Sequence, residues 1–215
     1  MSELPTPTEG LAWILWIWLM IHCIRQGGLV QSIRQHSYLL HLTLGTIVGL
    51  AALWRLRAGI YEGLELHFVA LTVTTLIFGW RNAILVGSAA LLILTLLGVE
   101  QWQQAGAIAL LGVATPVLLS FGILTLSHNT LPRNLWIYIF IDGFLNGILC
   151  FVARTLLLAA WYSSQYDWTL IRDNYLILMP LFFFPEAMLN GFSTTLLVVH
   201  KPHWLATWRE EQYLK

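Results

Sequence analysis

Two acids lie in the middle of apolar runs, each followed at the fourth residue by asparagine and then glycine: Asp142-Gly-Phe-Leu-Asn-Gly147 and Glu186-Ala-Met-Leu-Asn-Gly191. Positions i and i+4 share a helix face, so Asp142 stacks with Asn146 and Glu186 with Asn190. A carboxyl group in such a place can exchange a proton or a cation, or can hydrogen-bond a neighbouring helix. Ionisable groups at membrane depth cost about 2.5–3.5 kcal/mol each on insertion scales, which makes them candidates for substrate or transport residues. The plain alternative is polar glue between packed helices. Gly143 with Gly147, and Ala187 with Gly191, add a small-xxx-small strip to each helix, which lets a neighbouring backbone approach closely.

A second group of reactive residues lies in the connection Arg55-Leu-Arg-Ala-Gly-Ile-Tyr-Glu-Gly-Leu-Glu-Leu-His67. Glu62, Glu65 and His67 offer two carboxylates and an imidazole, ligands suited to a borderline divalent metal ion. Glu9, in the N-terminal tail expected on the same side, could reach over, and Arg154 ends near the same face. The competing expectation is an ion pair of Arg154 or Arg57 with Glu62 or Glu65. His22, His36, His128, His200 and His203 fall at or beyond the opposite ends of the runs, and His41 is one turn into a run. No histidine pair has His-x-x-x-His spacing.

These residues need a scaffold, and the composition defines it. The chain of 215 residues is 58% hydrophobic and 10% charged, with a mean hydropathy of +0.71. That is an all-α integral membrane protein. Apolar runs near 11–24, 38–54, 66–79, 83–99, 105–126, 135–161 and 175–199 predict a single polytopic domain over 1–215 with seven transmembrane helices. The third run is short and opens with polar residues, so it is expected to be tilted or to sit partly inside the protein. Arg55, Arg57 and Arg172 fall on one side; Arg25, Arg34, Arg81, Arg133, Lys201, Arg209 and Lys215 fall on the other. The positive-inside rule then places the N-terminus outside and the C-terminus in the cytoplasm.

The first run lacks a basic flank and a small-residue cleavage site, so it is expected to stay as a helix. Cys23 and Cys150 have no spacing for a disulfide frame or a zinc knuckle and are expected to act as small packing residues. Trp54, Trp80, Trp102, Trp136, Trp161 and Trp204 near run ends suggest an aromatic belt. Pro116, Pro180 and Pro185 predict kinks. Counted from the cytoplasmic ends, Asn146 and Asn190 lie ~16 and ~14 Å deep, so the two could meet near the midplane. No Gly-x-x-x-x-Gly-Lys loop, His-Glu-x-x-His or Gly-x-Ser-x-Gly motif occurs, and no nucleophile–base pair can be placed. An enzyme is therefore not expected. A formal net charge of zero without a basic stripe argues against nucleic acid as a partner.

Two stretches resemble the substrate-binding membrane component of cobalt/nickel-type energy-coupling-factor importers. In that family a histidine opens a span ending Leu-Phe-Gly-Pro; here His67 is followed at the same distance by Ile77-Phe78-Gly79-Trp80. Near the C-terminus the family has an acid, a threonine, a Val-Val pair and a Pro-x-x-Leu exit. Glu186, Thr194/Thr195, Val198-Val199 and Lys201-Pro-His-Trp-Leu205 look similar. The family's metal-binding members begin Met-His-Ile-x-Glu-Gly, with the terminal amine and that histidine as ligands. This chain begins Met1-Ser2-Glu3, keeps Glu9-Gly10 and lacks the histidine, and the Gly-rich stretch after the family histidine is replaced by Phe68-Val-Ala-Leu71. It thus resembles a divergent branch, in which a metal site built the family's way is missing ligands.

The resemblance implies a multi-pass protein of the bacterial cytoplasmic (inner) membrane that captures a substrate from outside, a transition-metal ion or a small polar solute. His67, with Glu62, Glu65 or Glu9, would hold it. A divalent transition metal would be substrate, with no cofactor bound permanently. The partners implied are a transmembrane coupling subunit, docked on the small-residue strips, and separate ATPase subunits. Two other functions fit the residues: a self-contained carrier that exchanges protons or cations on Asp142 and Glu186, and a non-catalytic membrane scaffold.

Overall fold

The computed structural model describes residues 6–61 and 64–210 and is helical almost throughout. Helix α1 (Pro7–Gly27) starts at a capping box, in which the Thr6 N–H donates to Glu9 Oε2 (2.7 Å) and the Glu9 N–H donates to the Thr6 hydroxyl. Short α2 (Leu29–Gln35) leads into α3 (Ser37–Arg55). Helix α4 covers Leu71–Leu96, α5 Trp102–Thr130 and α6 Leu135–Tyr162. Short α7 (Trp168–Asn174) passes through a 3-10 turn into α8 (Met179–His200).

Among the described residues six helical stretches are long and apolar enough to cross a membrane, where the sequence predicts seven runs. The difference lies at the third and fourth runs, which form α4. Within it two helices meet at a kink, where Gly79 has φ 70° and ψ 163° and reverses the chain. A Cβ on Gly87 would sit 3.1 Å from Leu71 Cδ2. In a straight helix those positions would be about 24 Å apart. α4 is therefore a hairpin of an inner arm, Leu71 to Phe78, and a long outer arm from Trp80 onward.

Every residue of the inner arm is buried, whereas a lipid-facing helix would expose one side. At about 12 Å the arm is too short to span a bilayer alone. It is entered by non-helical chain, residues 67–70, that follows the bridge between Ala58 and Leu66. Non-helical backbone at this depth is tolerated only inside the protein, where other groups can satisfy it. The expectation for the short third run is met in that form.

Contacts at the loops define two faces. At the first, Trp13 Nε1 donates to the Trp102 carbonyl (3.1 Å), Arg57 pairs with Glu100 (2.6 Å) and Gln104 donates to Gln165 (2.9 Å). At the second, the elbow of α4 meets the end of α1: Arg81 donates to Gln26 (3.3 Å) and His22 stacks between Trp18 and Trp80. Tyr38 and His203 also touch there. α5 and α6 each contain a π-helical segment, Ile108–Ala114 and Tyr138–Leu145. The first leads directly into Thr115-Pro116, and such widened turns often lie beside functional groups.

Candidate functional site

The inner arm needs acceptors for the free N–H groups of its first turn, which lies inside the bundle. The residue at its cap position is Ala70, which has no polar side chain and sits in the left-handed region (φ 52°, ψ 16°). A conformation of that kind costs about 1–2 kcal/mol for a residue with a Cβ. α8 supplies the missing cap. The Val69 and Ala70 N–H groups donate to Glu186 Oε2 and Oε1, each at 2.9 Å, and the Val73 N–H donates to Asn190 Oδ1 at 3.0 Å. Asn190 Nδ2 donates to Glu186 Oε1 (2.7 Å) and to the Glu186 carbonyl (2.9 Å), which fixes both side chains. An acid at a helix N-terminus is also favoured by the helix dipole.

The far end of the arm is held by the chain that follows α8. The Ala206 and Thr207 N–H groups donate to the carbonyls of Ile77 and Leu76, and the Thr207 hydroxyl donates to Leu76 as well (2.9 Å). Tyr138 Oη lies 2.7 Å from the Thr207 hydroxyl. The two stretches that carry the family resemblance, from His67 to Trp80 and from Glu186 to Leu205, thus meet at this short arm, through Glu186 and Asn190 at its head.

Just before the arm, residues 67–70 form a fixed turn. Trp54 Nε1 donates to the Val69 carbonyl (3.0 Å), and its ring lies 5.6 Å from that of His67. Arg154, on α6, places Nη2 2.6 Å from His67 Nε2, while His67 Nδ1 lies 2.7 Å from the Phe68 carbonyl. A guanidinium only donates, so Nε2 is the acceptor and Nδ1 carries the proton that Phe68 receives. His67 and Arg154 are 3% and 5% exposed, so the pair is closed to water.

Of the four metal-ligand candidates, Glu62 lies outside the described residues. Glu65 is ion-paired to Arg57 (3.4 Å), which also holds Glu100 (2.6 Å) and donates to the Trp54 carbonyl. The competing ion-pair expectation is realised there for Arg57 and Glu65. Glu9 is engaged in the α1 capping box, and the lone pair of His67 Nε2 faces Arg154. Among the described residues no three His, Cys, Asp or Glu side chains are gathered as a metal would need. The three described members, Glu9, Glu65 and His67, each have a protein partner nearer to hand. Beside it, a polar cavity of about 510 Å³ at the first face is lined by Arg55, Arg57, Glu65, Glu100, Gln101 and Gln104.

The two acid–asparagine motifs do not meet through their asparagines. Asn146 Nδ2 donates to the Ser120 carbonyl (3.2 Å) and hydroxyl (3.1 Å), and Cys150 donates to Asn146 Oδ1 (3.2 Å), so this pair faces α5. Asp142 is fully buried; the Ser127 hydroxyl donates to Oδ2 at 3.4 Å, and Oδ1 has no partner.

The small-residue strips pack α6 on α8 within the chain, which leaves them unavailable to a partner subunit. A Cβ on Gly143 would lie 3.3 Å from Thr194, one on Gly147 3.0 Å from Asn190 Nδ2, and one on Gly191 would run into the Phe144 ring. Ala187 is buried in the same helix. Gly191→Leu is therefore expected to abolish the monodisperse species in detergent size-exclusion chromatography. Gly49→Leu, where a Cβ meets nothing within 4 Å, is expected to leave it intact.

Sequence reasoning missed Trp54, which is buried as a brace for the 67–70 turn and takes no part in an aromatic belt. It also missed the partnership of Arg154 with His67, since residues 87 positions apart carry no spacing signal. Cys23 and Cys150 are buried free thiols, in line with their expected packing role.

The chain is a polytopic helical protein with a buried imidazole turn and a clamped half-helix inside its bundle. The chain belongs to the family of cobalt uptake substrate-specific transmembrane regions, which it matches over residues 3–204. No curated protein and no solved structure gives a match. The family consists of membrane transport components, and the apolar helices of this chain fit that class.

Proposed function

We propose that this protein is the substrate-capturing subunit of an energy-coupling-factor-type importer for a divalent transition-metal ion of the cobalt/nickel kind. The observation that carries the reading is the match to a cobalt uptake family over nearly the whole chain. The turn at His67, held by Trp54 and Glu186, adds a fixed imidazole inside the bundle. In this reading the first face is outside, as the distribution of basic residues favours. The ion enters by the polar cavity, which is lined by Arg55, Arg57, Glu65 and Glu100. The protein resides in a bacterial cytoplasmic membrane and works with a transmembrane coupling subunit and separate ATPase subunits. The chain's own residues orient and hold the ion, while the energy comes from the partners.

The unpartnered Oδ1 of Asp142 favours one other reading, a proton- or cation-coupled carrier that works alone. Uptake of radioactive Co²⁺ separates the two. Cells that express the chain with coupling and ATPase subunits are expected to accumulate cobalt at least tenfold above cells lacking the ATPase. Proteoliposomes holding the chain alone, with a pH gradient, are expected to show none. Transport by the chain alone would replace the importer reading with the carrier.

A further inference from the structure

The centre at the head of the inner arm already contains a cation. Arg154 Nη2 sits 2.6 Å from His67 Nε2, so the ring's only free lone pair is directed into a guanidinium. The opposite ring nitrogen is committed as a donor to the Phe68 carbonyl (2.7 Å), which leaves His67 no second nitrogen for a ligand. An imidazole binds a metal ion through that same lone pair, at about 2.0–2.1 Å for zinc. Arg154 and a metal ion therefore compete for one electron pair, and their like charges exclude joint occupancy.

The guanidinium is poorly compensated where it stands. It is 5% exposed, forms no ion pair among the described residues, and its Nη1 is buried without a hydrogen-bond partner. A buried charge with an orphan donor costs several kcal/mol unless it is paired. Glu186 lies within its electrostatic reach, but its oxygens already serve the backbone of Val69 and Ala70. Arg154 is thus held by a neutral ring, an arrangement that a stronger claimant for the ring can break.

We propose that Arg154 is a tethered competitor for the ligand nitrogen of His67, and that a divalent metal ion binds this chain only in exchange for the Arg154 guanidinium. The inference rests on the metal-uptake reading and adds the residue that sets affinity. The apparent affinity of a site is its intrinsic affinity reduced by the fraction of molecules in the competent state. Were Arg154 seated on His67 in about nine molecules of ten, removal of the competitor would tighten binding about tenfold.

The test is calorimetric titration of the detergent-purified full chain with CoCl₂, for the wild type, Arg154→Met, and Arg154→Met combined with His67→Ala. Arg154→Met is expected to bind Co²⁺ at least about tenfold more tightly than the wild type, and His67→Ala is expected to remove that gain. Equal or weaker binding by Arg154→Met overturns the proposal, as does a gain that survives His67→Ala. Should Arg154→Met fail to fold, ¹⁵N-histidine NMR of the wild type with added Zn²⁺ decides. Metal-dependent change at His67 Nε2 together with loss of its hydrogen bond to Arg154 is expected; an unchanged His67 overturns the exchange. Failure here is distinct from failure of the import reading, since cobalt uptake by the wild type with its partner subunits is scored separately.

Discussion

Glu186→Ala is expected to collapse the cap of the inner arm and to remove most of the folded protein. The carboxylate accepts from three buried donors: the Val69 N–H, the Ala70 N–H and Asn190 Nδ2. Each donor stranded in the interior costs about 1–3 kcal/mol, and no water is at hand to replace the acceptor. The loss is then roughly 3–9 kcal/mol, a large fraction of the stability of a typical domain. Glu186→Gln distinguishes this account from a role in proton or cation exchange. A glutamine keeps one oxygen but turns an amide NH₂ toward a backbone N–H, a contact between two donors. It is expected to fall between wild type and alanine in thermal stability measured in detergent. A glutamine variant with wild-type stability but no transport would mean that Glu186 carries charge for the substrate.

Gly79→Ala is expected to be nearly as damaging, for a reason unrelated to space. A Cβ at that position meets nothing within 4 Å. The obstacle is the backbone pair φ 70°, ψ 163°, a region open almost solely to glycine. An alanine there pays about 1–3 kcal/mol of strain or relaxes toward helical angles. Relaxation would straighten the hairpin, draw Leu71 away from Gly87 and pull the 67–70 turn off Glu186. Asparagine, which tolerates the left-handed helical well near ψ 47°, is expected to fare no better, because ψ 163° lies outside that well. Thermal melts of the three proteins check this; an asparagine variant as stable as the wild type would show that only the sign of φ matters.

The sequence made the membrane class plain, because 58% hydrophobic residues in 215 admit nothing else. It also marked Glu186, Asn190 and their glycines, since a charged side chain in an apolar run stands out at once. Their job was less visible: the groups they satisfy are backbone N–H groups, which every residue carries and no sequence pattern displays. The same limit hid the break at Gly79. Run lengths suggested two spans, whereas the first of them is part non-helical turn and part half-helix. Arg154 stood out as a lone charge in a span, but its attachment to His67 depends on how α6 packs against a non-helical turn. The loop acids looked like ligands because spacing alone cannot tell a metal from Arg57.

One short rod, from Leu71 to Phe78, is fastened at its head to Glu186 and Asn190 and at its foot to Ala206 and Thr207. Head and foot fixings belong to a single stretch of chain, α8 and the residues after it. The rod cannot slide along α8 without breaking bonds at both ends at once, so it moves with its neighbour or stays put. If substrate binding at His67, four residues before the rod, displaces the rod, the chain after α8 at the opposite face is displaced with it. Linkage of this kind runs both ways with equal free energy. A partner gripping that tail would then alter affinity for cargo by the same factor that cargo alters the grip.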